Sequence, residues 1–249
     1  MRLVCISRLP IAYCRLPSET LVDPKQVAAR KALELVEDGM TLGLGTGSTA
    51  VHFIDGLGAK VRELGWKVSG VPTSERSRVQ AVHLGIPIVD LVEAPVLDLA
   101  VDGADEADKN LALIKGGGGA LLREKLVAAA ARQFVVVCDS TKFKQTLGAF
   151  PLPVAIVPFG WASTAARLER YGVEMKLRES KAPGGGPFIT DDGLYILDMQ
   201  FGTIEDPVAL EREIKQTTGV VDVGLFVGMA SRLILGFEDG HSEEILSGR

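Results

Sequence analysis

Short apolar runs alternate with longer amphipathic stretches through the first part of the chain. Asp23-Pro24-Lys25-Gln26 reads as a helix start, with Asp23 as N-cap, Pro24 at N1 and Gln26 able to complete a capping box. The pattern carries this helix through residues 27–38 to a stop at Gly39. Residues 40–44 predict a buried strand, broken by Gly45-Thr46-Gly47-Ser48-Thr49 and followed by a helix over about 50–63. Further strands are predicted over 68–72, 86–89, 97–101 and 134–138, with helices from 73 to near Gly85 and after Gly119. Strands that are apolar right through, separated by helices, indicate a parallel sheet covered on both faces. The polar turns fall at the carboxyl ends of these strands, where open α/β sheets bind ligands.

The pattern changes at Phe150-Pro151-Leu152-Pro153. Strands over 154–157, 173–177, 195–199 and 221–227 and helices over 161–171 and 207–217 follow the order β-α-β-β-α-β, a ferredoxin-like arrangement. The loop 182–187, APGGGP, reads as exposed and mobile. Residues 233–236 are expected to return to the first sheet as an edge strand. The expected fold class is therefore α/β: a Rossmann-like parallel-sheet domain (23–150 plus 230–249) and a smaller ferredoxin-like α+β domain (151–229). Residues 1–22 form an N-terminal arm, with three arginines and no acid before Glu19, expected to be loosely ordered or a short targeting extension.

Composition removes several classes. The formal net charge of −5, with no basic run, argues against a nucleic-acid partner. No apolar stretch approaches a membrane span, so no membrane partner is expected. Cys5, Cys14 and Cys138 do not form a disulfide framework, which points to a reducing, cytoplasmic setting. His52, His83 and His241 are far apart and lack metal-ligand spacing, so no metal is expected.

The chemistry concentrates in Lys115–Lys125, KGGGGALLREK. The four glycines, Gly116 to Gly119, offer bare amides and close approach to a ligand, at the cost of element stability. The helix former ALLREK that follows puts them at a helix N-terminus, which favours an anion. Lys115 stands before the loop, and Glu124 stands within the helix after it. Upstream, Asp102-Gly103-Ala104-Asp105-Glu106 is a turn dense in carboxylates. A cation, bare amides and several carboxylates within one short stretch indicate a polar active site. Residues 43–49, GLGTGST, are a poor dinucleotide fingerprint: Ser48 stands where glycine is required, and the second strand lacks the following acid. No Gly-Lys-Ser/Thr follows, which excludes a P-loop, and the G-x-G-x-G spacing of nucleotide-methyl-donor enzymes is only a weak signal. The turn suits one phosphate monoester.

The stretches GLGTGSTA (43–50), VDGADE (101–106), IKGGGGALLREK (114–125), DSTK (139–142), LGAFPLPV (147–154) and GVVDVGLF (219–226) resemble the hallmark stretches of type A ribose-5-phosphate isomerase. The resemblance spans about residues 24–240, in order. Residues 73–77, TSERS, keep the hydroxyl-rich character of that family's loop but depart in detail.

The resemblance implies interconversion of D-ribose 5-phosphate and D-ribulose 5-phosphate in the non-oxidative pentose phosphate pathway, without metal or organic cofactor. It implies Glu124 as the base and substrate contacts from Thr46, Gly47, Ser48, Thr49, Asp102, Gly103, Ala104, Asp105, Lys115, Gly116, Gly117, Gly118 and Lys142. It also implies a homodimer or a dimer of dimers. The residue chemistry agrees. Moving a carbonyl from C1 to C2 needs a base for the C2 proton, which a carboxylate of raised pKa can supply. Lys115 and the glycine amides can stabilise an enediolate. Asp102 and Asp105 are placed to move protons between oxygens and to open the ring, with the division between them open. Residues 151–229 are expected to support assembly and cover the cleft without supplying the base. The alternative is a sugar-phosphate-sensing domain of a transcription regulator, which binds without turnover; the 23 residues before the first helix are short for its helix-turn-helix segment.

Overall fold

A computed structural model describes residues 22–248 of the chain. In chain order its elements are α1 (Pro24–Leu33), β1 (Thr41–Leu44), α2 (Ser48–Leu64), β2 (Ser69–Pro72), α3 (Glu75–His83), β3 (Leu99–Asp102), β4 (Glu106–Ala107), β5 (Leu113–Ile114), α4 (Leu121–Ala130) and β6 (Phe134–Asp139). There follow β7 (Leu152–Ile156), α5 (Trp161–Leu168), β8 (Glu174–Leu177), β9 (Tyr195–Gln200), α6 (Pro207–Lys215), β10 (Val220–Val223), β11 (Leu225–Phe226), β12 (Arg232–Gly236) and β13 (Ser242–Leu246).

Six strands in the order β13-β12-β6-β3-β1-β2 form the main sheet, all parallel except β13. Every residue of β3 and β6 is buried, as expected of central strands covered on both faces. Phe53, Ile54 and Leu57 of α2 and Ala28, Ala29 and Ala32 of α1 pack on one face. Val127 and Ala128 of α4 pack on the other, with Phe134 and Phe226. Gly43 lets α4 approach, since a Cβ there would come within 2.5 Å of Val127.

The second sheet, β10-β7-β9-β8, is antiparallel throughout and has the ferredoxin-like strand order. Leu168 of α5 and Ile214 of α6 are buried in its core. A third sheet, β11-β5-β4, joins the two larger ones.

The structure corrects several boundaries. The first helix ends at Leu33, short of residue 38: Leu35 N–H turns back to Ala32 and Val36 N–H to Leu33, tightening the chain to bury Val36. The strand predicted over 86–89 is reduced to one bridge between Gly70 and Ile88, because Pro87 has no N–H for a ladder. The strand predicted over 221–227 is two strands, broken at Gly224, whose N–H donates to Pro153 O and whose carbonyl accepts from Lys115 N. The expected edge strand at 233–236 lies inside the sheet, as β12, with β13 outside it. Apart from Val22, whose N–H donates to Glu238 O, the expected N-terminal arm lies outside the described residues. No helix among the described residues is long and apolar enough to cross a membrane.

Candidate active site

The site is built at the carboxyl ends of β1, β3 and β6, which end in Leu44, Asp102 and Asp139. Lys115 enters it from β5, with its backbone N–H fixed on Gly224 O at 2.8 Å. Its side chain is 2% exposed. The ammonium donates to Gly103 O at 2.5 Å and lies 2.8 Å from Asp102 Oδ2 and 3.4 Å from Glu124 Oε2. Asp102 Oδ1 accepts the N–H groups of Thr46 at 2.8 Å and Gly103 at 2.7 Å. Asp102 Oδ2 and Glu124 Oε2, both buried, lack a well-directed hydrogen bond and rest on the charge of Lys115.

One buried ammonium thus faces two buried carboxylates. Burial pushes the Glu124 carboxyl up to about 8, against the pull of Lys115 and with the help of Asp102 and Asp105. Burial also raises Asp102 above the usual carboxylate range, although Lys115 and the two backbone N–H groups favour its charged form. For Lys115, burial acts downward, but the charges of Asp102 and Glu124 outweigh it and hold the ammonium above its ordinary value. Lys115 therefore stays charged, and Glu124 takes up a proton near neutral pH.

A cleft of about 480 Å³, open to solvent, lies over this group. Thr46, Gly47, Ser48, Thr49, Gly103, Ala104, Asp105, Lys115, Gly116, Gly117, Gly118, Glu124 and Lys142 all line it. These residues are the ones expected from the sequence, and the fold brings them together. Asp102 is the exception: it lies under the cleft, beside Lys115. Asp105 lines the wall, its Oδ2 accepting Gly117 N–H at 2.8 Å. At one end, α2 begins behind Gly47 with no side-chain cap, so its first N–H groups face the cleft unpaired by a capping side chain. Lys142, on a short 3-10 turn after β6, adds a cation.

Thr46 differs from expectation in one respect. Its hydroxyl bonds to those of Thr73 and Ser74 at 2.7 Å each and lies 3.2 Å from that of Ser77. Ser77 Oγ in turn donates to Gly45 O at 2.7 Å. The hydroxyls of residues 73–77 therefore brace the turn from behind. Asp139, not singled out in the sequence, also lines the cleft, and its carboxylate accepts from Thr141 N–H and hydroxyl, shaping the turn that carries Lys142. Its signal was available, as an acid at a strand end before Ser-Thr. Among the described residues, no group of three or more His, Cys, Asp and Glu side chains is placed to hold a metal ion.

Residues 69–240 match the family model for ribose 5-phosphate isomerase A, also called phosphoriboisomerase A. The chain belongs to the ribose 5-phosphate isomerase A family. A ribose-5-phosphate isomerase A of Gloeobacter violaceus is 54% identical over 218 residues, covering 87% of this chain and 93% of the relative. That of Parvibaculum lavamentivorans is 49% identical over 222 residues, covering 88% and 96%. The solved ribose 5-phosphate isomerase A of Methanocaldococcus jannaschii superposes with a TM-score of 0.85 at 40% identity, covering 89% of this chain and 97% of that one. A D-ribose-5-phosphate isomerase in complex with phospho-erythronic acid superposes with a TM-score of 0.86 at 38% identity, covering 89% and 97%.

Proposed function

We propose that this protein is an aldose-ketose isomerase interconverting D-ribose 5-phosphate and D-ribulose 5-phosphate through an enediolate, in the non-oxidative branch of the pentose phosphate pathway. The observation that carries the reading is the buried Glu124 carboxylate 3.4 Å from the Lys115 ammonium at the base of the cleft. A related isomerase binds phospho-erythronic acid, a phosphorylated sugar acid, and an anion of that kind suits the charges here.

Ionised Glu124 takes the proton from C2. The C2–H electrons form the C1=C2 bond, and the carbonyl electrons move onto O1. Lys115 and the glycine-loop amides stabilise that oxygen. Asp105, on the cleft wall, carries the O2 proton to O1 and serves ring opening. Asp102 holds Lys115 in place from below. Glu124 then returns its proton to C1, and O2 becomes the new carbonyl. The N-terminus of α2, with Ser48, Thr49 and Lys142, anchors the phosphate, and that remote binding fixes the sugar in reactive geometry.

The test is appearance of ribulose 5-phosphate from ribose 5-phosphate with nothing added. Binding without turnover would favour the sensing alternative. We further propose a cytoplasmic protein that assembles as a homodimer or homotetramer, the assembly supported by the exposure of Phe159, at 95%, and of Trp161 two residues on; light scattering on the eluted protein tests the assembly. We propose the division into 23–150 plus 230–249 and 151–229 on the antiparallel second sheet formed wholly by 151–229, although its core also takes in Ala112, Ile114 and Leu147; proteolysis near residue 150 tests it.

A further inference from the structure

Arg178 directly follows β8 and reaches from the second sheet to the glycine loop. Its Nη1 donates to Gly116 O at 2.8 Å and Gly117 O at 3.2 Å. Its other nitrogens are held by Asp198 of β9, Nε on Oδ2 at 2.9 Å and Nη2 on Oδ1 at 2.5 Å. This two-pronged pair fixes the plane of the guanidinium. Phe188, whose N–H donates to Arg178 O at 2.8 Å, packs its ring on Gly119, where a Cβ would come within 2.4 Å of the ring. Neither Arg178 nor Phe188 lines the cleft, so the loop is held from outside it.

The consequence follows from peptide geometry. In a planar trans peptide, the carbonyl and the next residue's N–H point in opposite directions, and the described residues contain no cis bond. Turning the Gly116 carbonyl onto Arg178 directs Gly117 N–H away from it, onto Asp105 Oδ2. Turning the Gly117 carbonyl onto Arg178 directs Gly118 N–H the other way, and Gly118 lines the cleft. We infer that Arg178 is a positioning residue for the isomerisation, setting two glycine peptide planes so that one orients Asp105 and the other presents Gly118 N–H to the enediolate oxygen. This rests on the isomerase reading above. A lysine cannot substitute, because a single ammonium cannot span both carbonyls and Asp198 in one plane.

The experiment compares wild type, Arg178→Lys, Arg178→Ala and, as a control, Lys181→Ala, since Lys181 lines with Arg178 and Phe188 a groove outside the cleft. Arg178→Lys should lower kcat about 10²-fold, the cost of a displacement of about 1 Å at reacting groups, while KM changes by less than about threefold because the phosphate anchor is elsewhere. Guanidinium ion, well below denaturing concentration, should restore part of the kcat of Arg178→Ala and none of that of Glu124→Gln. Lys181→Ala should match wild type. Unchanged kcat in Arg178→Lys, or a change in KM alone, overturns the inference. So does a folded Arg178→Ala protein whose lost kcat guanidinium leaves untouched, since support of the fold alone would give that result. If Arg178→Ala does not fold, the kcat-against-KM split of Arg178→Lys decides. Inactive wild type would overturn the isomerase reading itself, and with it this inference.

Discussion

Asp102 accepts the backbone N–H of Thr46 at 2.8 Å. The acid beneath Lys115 therefore also ties down the turn that opens α2. One carboxylate links the two halves of the cleft, the end that suits a phosphate and the end that holds the ammonium and Glu124. The tie is intact only while Asp102 is held by both partners.

Glu124→Gln keeps the size of the side chain and removes the base. General-base catalysis contributes about 10²–10⁴-fold, and Asp102, although nearer to Lys115 than Glu124 is, does not line the cleft, so kcat should fall by at least about 10²-fold. Binding of ribose 5-phosphate should survive. Exchange of the C2 proton with deuterated solvent, followed by NMR, should cease; exchange at the wild-type rate would transfer the role of base to Asp102 or Asp105.

The pH dependence should carry the mark of burial. Burial pushes Glu124 up to about 8, so the free enzyme holds it neutral below that value and ionised above it. The acid limb of kcat/KM should therefore be centred near 8, and a limb in the ordinary carboxylate range would contradict the assignment. Stability should move the other way. A carboxyl raised in the folded state contributes stability that is full below its unfolded value of 4.5 and is lost as pH rises through about 8. Urea denaturation should show wild type losing on the order of a few kcal/mol relative to Glu124→Gln between about pH 5 and about pH 9.

Thr46→Val tests the brace behind the phosphate turn. The substitution preserves shape but leaves the buried hydroxyls of Thr73, Ser74 and Ser77 short of a partner. Denaturation should show a loss of about 1–3 kcal/mol. Ser48→Ala and Thr49→Ala, by contrast, should leave stability near wild type and weaken inhibition by inorganic phosphate. Equal loss of affinity for ribose and ribose 5-phosphate would place the phosphate elsewhere.

Activity should persist after dialysis against a chelator. The cation beside the reacting oxygens is Lys115, which the charges of Asp102 and Glu124 keep protonated. Loss of activity that a divalent cation reversed would refute this.

Much of the site was legible because it is local in sequence. Lys115, the four glycines and Glu124 occur within one loop-and-helix unit, and Asp102 and Asp105 within one turn. The parallel sheet was equally legible, since β3 and β6 are apolar up to the aspartate that ends each and are buried along their whole length. What escaped depends on distant pairing. Arg178 stands 62 positions from Gly116, on another sheet, and its neighbours give no sign of its target. The short strands β4, β5 and β11 carry two residues each and have no periodicity to detect. Thr46 read as a ligand residue because it sits among glycines and hydroxyls, yet its hydroxyl is bound to residues that only the fold brings near. Pro87 marks a different limit: the apolar run around it resembles a strand, but the missing N–H prevents a ladder.

The inner position of β12 bears on synthesis. β6 pairs with β12 along Val135 to Asp139, and β12 begins only at Arg232. Until that segment leaves the ribosome, the Phe-Val-Val-Val-Cys edge of β6 has one open side, apolar and rich in β-branched residues. A nascent or truncated chain ending before residue 232 is thus exposed to edge-to-edge aggregation, which the final two strands suppress by covering that edge and turning the last pairing antiparallel.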